Sequence, residues 1–172
     1  AALESADVLR GAGLVAVVGC PADPARLSKR AETYLRNADV IFYDRLVPNV
    51  VLERVRDRAV CVDKMSGEKS TPQSEIHRLM LAEAEKGRLV VRLHGGDPGI
   101  HDHLDDDLQF LSDWNIRADL VPAIDDAQAA AAQARTPLTL FTGTDPEPFL
   151  RHGPLLHCPF IRLTSAPLEE RA

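Results

Sequence analysis

The chain has no apolar run near the roughly 20 residues that cross a bilayer, and no secretory leader opens it. Basic residues are short: 20 Lys and Arg stand against 26 Asp and Glu, a formal charge of −6. Bulk nucleic-acid binding runs on a basic face, so that class of function is not expected. Cysteine is scarce, with Cys20, Cys61 and Cys158 far apart and no Cys-x-x-Cys pair. An odd number of scattered thiols argues against a disulfide framework and reads as reduced cysteine in a cytoplasmic protein, Cys61 inside a strand. Neither an initiator methionine nor an internal repeat occurs.

What remains is a chain of 172 residues, 45% hydrophobic and 27% charged. A globular domain of that size buries roughly 68–70% of its unfolded surface. Residues 1–13 read as a helical lead-in or linker. Short apolar strands at 14–18, 39–43, 59–62, 88–93 and 119–121 alternate with helical stretches at 25–37, 49–55, 72–86 and 104–114. Thr71 can cap the third helix with Pro72 at its first position, and Gly87 can stop it. Asp125 or Asp126 begins an alanine-rich helix. The alternation predicts an α/β fold, a three-layer sandwich with a five-stranded, mainly parallel sheet. Six prolines between Pro137 and Pro167 make residues 140–172 a proline-rich tail, with strand candidates only at 138–142 and 160–163.

One stretch carries more than fold. Leu89, Val90, Val91 and Leu93 suit a strand buried on both faces. Gly95 and Gly96 then allow close approach of another chain or molecule, and Pro98 shapes the exit. Asp97 hangs a carboxylate just past the strand's carboxyl end, where open α/β sheets bind ligands.

Several blocks resemble the tetrapyrrole methylases, and most closely their uroporphyrinogen-III C-methyltransferase branch. Tyr43-Asp44-Arg45-Leu46 matches Y-D-R-L. Lys64, Gly67, Ser70, Pro72, Gln73, Glu75 and Ile76 match G-K-x-x-G-x-x-S-x-P-Q-x-E-I, with Asp63 in place of the first glycine. Val91 through Pro98 matches V-R-L-K-G-G-D-P except at His94. Val121 through Ile124 and Thr136 through Thr139 are similar to V-P-G-I and I-P-L-T. The resemblance covers residues 15–139, a first domain within 14–139. It implies methyl transfer from S-adenosylmethionine to a pyrrole carbon, opening sirohaem and cobalamin synthesis. It further implies a general base at Asp44, a substrate-side position at His103, and cofactor contacts at Pro21, Gly95, Asp97 and Ile100. A homodimer, or a second domain outside this chain, is also implied.

The departures fall on functional loops. The family's G-A-G-P-G-D-P is one residue shorter here, with Ala22 for a glycine. His103 stands where the family has arginine, and Asp102 and Asp105 add charge that repels a polycarboxylate by about 1 kcal/mol or more per close pair. Three readings stay open: a methylase with weak cofactor binding and weak or no activity, a non-catalytic binding scaffold, and a metal site at His101, His103 and Asp105. For individual residues, Asp44 with Arg45 also suits a surface ion pair, His77 an exposed helix face, and Asp105 through Asp107 the solvated acids of a helix start.

Overall fold

Two runs of seven buried residues form the middle of the fold: β1 (Leu14–Cys20) and β4 (Leu89–Gly95). The protein is seen here as a computed structural model, which describes residues 13–62, 71–99 and 104–124. Strands β2 (Val40–Tyr43), β3 (Ala59–Cys61) and β5 (Arg117–Val121) complete a sheet in the order β3-β2-β4-β1-β5. Every pairing is parallel, and Val90 of β4 stands between Val15 of β1 and Val40 of β2. Central strands covered on both faces favour near-continuous Val and Leu. The edge strands are shorter or more polar, and Val60 and Leu120 are exposed on them.

Helices cover both faces. On one, Ala31, Tyr34 and Leu35 of α1 (Lys29–Asn37) and Val51 of α2 (Asn49–Leu52) pack against Ala16, Val18, Val91 and Leu93. On the other, Ile76, Met80 and Ala84 of α3 (Gln73–Ala84) and Leu111 of α4 (Leu104–Asp113) pack against Val15, Phe42 and Val90. This is the expected three-layer α/β sandwich. From β1 the chain steps through β2 to β3 over the first face, then returns through β4 to β5 over the second. Reversing direction and face together keeps every crossover of one hand, the right-handed form being favoured by twisted strands. It also makes the carboxyl end of β4 a switch point, because connections leaving its neighbours β1 and β2 pass to the opposite face.

Several boundaries differ from the sequence reading for local reasons. The stretch 25–37 is not one helix. Asp23 caps a 3₁₀ turn at Pro24–Arg26, Leu27 is extended, and the Ser28 side chain then accepts the Ala31 N–H at 3.1 Å to start α1. The stretch 49–55 shortens to α2, with a separate 3₁₀ turn at Arg56–Arg58. Pro72, not Thr71, occupies the cap of α3, and its carbonyl accepts from Glu75 and Ile76 N–H. Strands β1 and β4 run on to Cys20 and Gly95, and β5 begins at Arg117.

The described residues belong to one compact unit, Ala1–Asp125, and a second unit, Asp126–Ala172, lies outside them. Also outside are residues 1–12, 63–70 and 100–103, and with them the expected alanine-rich helix, the late strand candidates and the tail. Among the described residues no helix is long and apolar enough to cross a membrane.

Candidate functional site

Three chain segments meet at the carboxyl edge of the sheet. Asp44 stands one residue past β2, and its backbone N–H still donates to Leu93 O of β4 at 3.4 Å. Its carboxylate accepts the Gly95 N–H at 3.2 Å on both oxygens and the Leu46 N–H at 3.0 Å on Oδ1. The carboxylate thus ties the ends of two adjacent strands together, and Asp44 is only 8% exposed. The surface ion pair weighed for Asp44 therefore does not describe it. Beyond β4, Gly96 exchanges two backbone hydrogen bonds with Cys20 at the end of β1, at 2.7 and 3.2 Å. Pro21 is buried next to this contact. Burial, and then the neighbouring Asp44, push the Cys20 thiol up to about 11, so it is neutral at the site. Asp97 is half-buried, and its Oδ1 accepts the Gly99 N–H at 2.8 Å.

Gly95 answers a steric demand of the protein itself. A Cβ added there would lie 2.4 Å from Leu46 Cβ and 2.7 Å from Leu46 carbonyl carbon. The space its missing side chain leaves is taken by the loop after β2. Asp97 has no such constraint, since a carboxylate can accept several donors and one is spent on Gly99. The residues at this edge therefore suit a ligand that offers an ammonium or hydroxyl to Asp97.

Of the expected site residues, Pro21, Asp44, Gly95 and Asp97 come together at this edge. Ile100 and His103 lie outside the described residues, as does His101 of the metal reading. Asp105 is exposed in the first turn of α4. Among the described residues no group of three His, Cys, Asp or Glu is arranged to hold a metal ion.

The structure adds a buried polar cluster beneath the edge, between the sheet and helices α3 and α4. Arg92 and His94 lie two apart on β4 and share a face with Val90, where Phe42 of β2 is their neighbour. Arg92 is fully buried and donates through Nη1 to Phe42 O at 3.1 Å and Leu93 O at 3.2 Å, while its Nε and Nη2 make no hydrogen bond among the described residues. His94 is 4% exposed, with Nδ1 3.7 Å from Asp44 Oδ2 and Nε2 3.6 Å from Asp107 Oδ2. Asp107 is fully buried; its Oδ1 accepts from Gln73 Nε2 and lies 2.8 Å from His77 Nε2. Burial alone would push the Asp107 carboxyl up. His94, His77 and the charge of Arg92 outweigh it and hold Asp107 below the usual aspartate range.

Two expectations are corrected here. Asp107 is not a solvated helix-start acid, because it falls within the Leu104, Leu108 and Leu111 stripe and turns inward with it. His77 is not on an exposed face, since its ring stacks on Phe110 at 4.4 Å and meets Asp107. The signals were in the sequence. Arg92 and His94 have period-2 spacing in an otherwise apolar strand, Gln73 and His77 are one helical turn apart, and Asp107 sits at an apolar position of its helix.

An open parallel sheet whose loops gather at its switch point defines a ligand-binding α/β domain. The particular family follows from comparison. The model of the tetrapyrrole (corrin/porphyrin) methylases matches residues 14–147, and the chain belongs to that family. It is 42% identical over 132 residues to the chloroplastic S-adenosyl-L-methionine-dependent uroporphyrinogen III methyltransferase of Arabidopsis thaliana, covering 75% of this chain and 36% of that protein. It is 42% identical over 130 residues to a siroheme synthase of Photobacterium profundum, covering 74% of this chain and 28% of that one. In structure it is similar to uroporphyrin-III C-methyltransferase of Thermus thermophilus, with TM-score 0.64, 33% identity, and 74% of this chain on 55% of that chain. The same enzyme complexed with S-adenosylhomocysteine gives TM-score 0.53 and 35% identity, covering 74% of this chain and 54% of that chain. The chain thus spans about a third or less of the curated relatives and about half of the solved one.

Proposed function

We propose that this chain carries the S-adenosylmethionine half-site of a methyltransferase acting on uroporphyrinogen III, at the opening of sirohaem and cobalamin synthesis. The observation that supports it best is the convergence of Pro21, Asp44, Gly95 and Asp97 at one switch point, in a chain similar to an enzyme solved with S-adenosylhomocysteine. When bound, S-adenosylmethionine supplies a sulfonium methyl that is already a good electrophile. Asp97 would hold its ammonium or ribose hydroxyls, with Pro21, the Gly95 backbone and Ile100 as the further cofactor contacts of this reading. The methyl would pass to the ring carbon with loss of the sulfonium carbon–sulfur bond, and Asp44 would take the ring carbon's proton as general base. His103 would serve the substrate's carboxylates in this reading. A second copy of the chain, or a further domain, completes the assembly in this reading.

Binding is weak, because Ala22 and the shortened loop alter the cofactor bed, and His103 serves a polycarboxylate less well than arginine. Isothermal titration of the 172-residue chain with S-adenosylhomocysteine should give a Kd of roughly 0.1–1 mM. Asp97→Asn should weaken it about tenfold or more, the loss of a charge-assisted hydrogen bond. An anaerobic assay with uroporphyrinogen III should show little turnover. No binding at several millimolar, or Asp97→Asn without effect, overturns the reading.

A further inference from the structure

We propose that His94 is held as an imidazolium between two buried carboxylates, and that Asp107 is a positioning residue which acts through it on Asp44. This deepens the reading of Asp44 as proton acceptor, and its functional consequence rests on that reading; the charge arrangement does not.

Both ring nitrogens of His94 face carboxylate oxygens, Asp44 Oδ2 at 3.7 Å and Asp107 Oδ2 at 3.6 Å. Only the protonated ring presents N–H on both sides. Charge balance points the same way. Asp44 and Asp107 bring two negative charges into a region where Arg92 supplies one positive charge. A proton on His94 balances the charges of these four described side chains, as buried charges require. Asp107 is itself fixed from α3 by Gln73 and His77, so its free oxygen is aimed at His94. Cys20 at the end of β1, beside Asp44, and Cys61 on β3, acting on Arg92, are further titratable neighbours. His94 is too buried to meet a substrate, so its influence passes through Asp44, whose carboxylate the Gly95 and Leu46 N–H groups hold at the crevice. The V-R-L-K pattern has lysine here. Histidine keeps that positive charge only while protonated, so this chain's site becomes sensitive to pH where a lysine site is not.

The test uses the full chain with ring-labelled histidine. Long-range ¹H–¹⁵N spectra are followed from about pH 5 to pH 9, a window spanning the ordinary histidine range, and His94 is assigned with His94→Gln. His94 should keep its imidazolium pattern well above the ordinary midpoint of about pH 6.5. Asp107→Asn should lower that midpoint by about one pH unit or more, and Asp107→Glu should restore part of it. A purely packing role for Asp107 would change stability and leave the midpoint in place. The proposal fails if His94 deprotonates at or below the ordinary midpoint, if Asp107→Asn leaves it unmoved, or if His77 carries the raised midpoint instead. Should Asp107→Asn not fold, the wild-type midpoint and Asp44→Asn decide. Failure of S-adenosylhomocysteine to bind would overturn the functional reading alone and leave this result intact.

Discussion

Asp44 is one of the acids that the sequence singled out, and the structure gives it three backbone N–H contacts and a buried histidine neighbour. A carboxylate bound in this way is oriented by the ends of two strands, so the site depends on how closely those ends approach. Gly95 sets that approach. Adding one methyl group places a carbon 2.4 Å from Leu46 Cβ and 2.7 Å from its carbonyl carbon, and backbone cannot swing aside as a side-chain tip can. Gly95→Ala should therefore cost about 1–3 kcal/mol of stability, the usual range for overpacking. It should also weaken S-adenosylhomocysteine binding, since a displaced end of β4 carries the Gly95 backbone and the Asp97 that follows it out of place. Urea denaturation together with titration checks this. A variant as stable as wild type with unchanged binding would mean that Leu46 yields without consequence.

Elements start and stop where side chains and glycine satisfy backbone groups. Helix α3 ends at Ala84, and the chain then turns through Gly87, which has φ 76° and donates its N–H to Ala84 O at 2.9 Å. Arg88 N–H closes the turn on Glu83 O at 3.3 Å and leads straight into β4. An L-residue at that φ is strained, so Gly87→Ala should cost about 1 kcal/mol. It should do so without touching the site, and a shift in the urea midpoint with unchanged ligand binding would bear that out. Loss of binding would instead mean that the turn governs how β4 presents Gly95. The stop at Gly87 was legible because a glycine after a helical stripe has one common use. The cap at Pro72 was not, because Thr71 offers a better capping side chain and only the backbone path chose between them.

At the scale of the molecule, the buried cluster links the sheet to α3 and α4 and makes stability depend on acid. Burial raises the Asp107 carboxyl, but His94, His77 and Arg92 together hold it below the ordinary value. The unfolded chain, with an aspartate near about 3.9, takes up the proton first as pH falls. The contribution of Asp107 is therefore complete above about pH 4 and is lost as pH drops through the folded value. Thermal melts of wild type should fall steeply below about pH 4, whereas Asp107→Asn should start lower and show a flatter acid limb. Parallel acid limbs would mean that another carboxylate carries the effect. Asp107→Ala is the harsher change, since removing one partner of a buried ion cluster costs about 3–5 kcal/mol.

The sequence by itself determined the fold class and its order, because strand and helix periodicities are local and the Val and Leu runs of β1 and β4 leave no solvent face. It also determined the sheet edge where Asp44 and Asp97 stand, because ligands in open parallel sheets lie past the carboxyl ends of strands. Only the tertiary structure decided what Gly95, His94, Asp107 and His77 are for. The partners of His77 and Gly95 are 30 and 51 residues away in sequence, and nothing local says which element will cover a given face. Gly95 reads as room for a ligand until Leu46 is seen to fill it. Asp107 reads as a helix-start acid until Arg92 and His94 lie beneath it, where desolvation makes an unpaired charge too costly to leave alone.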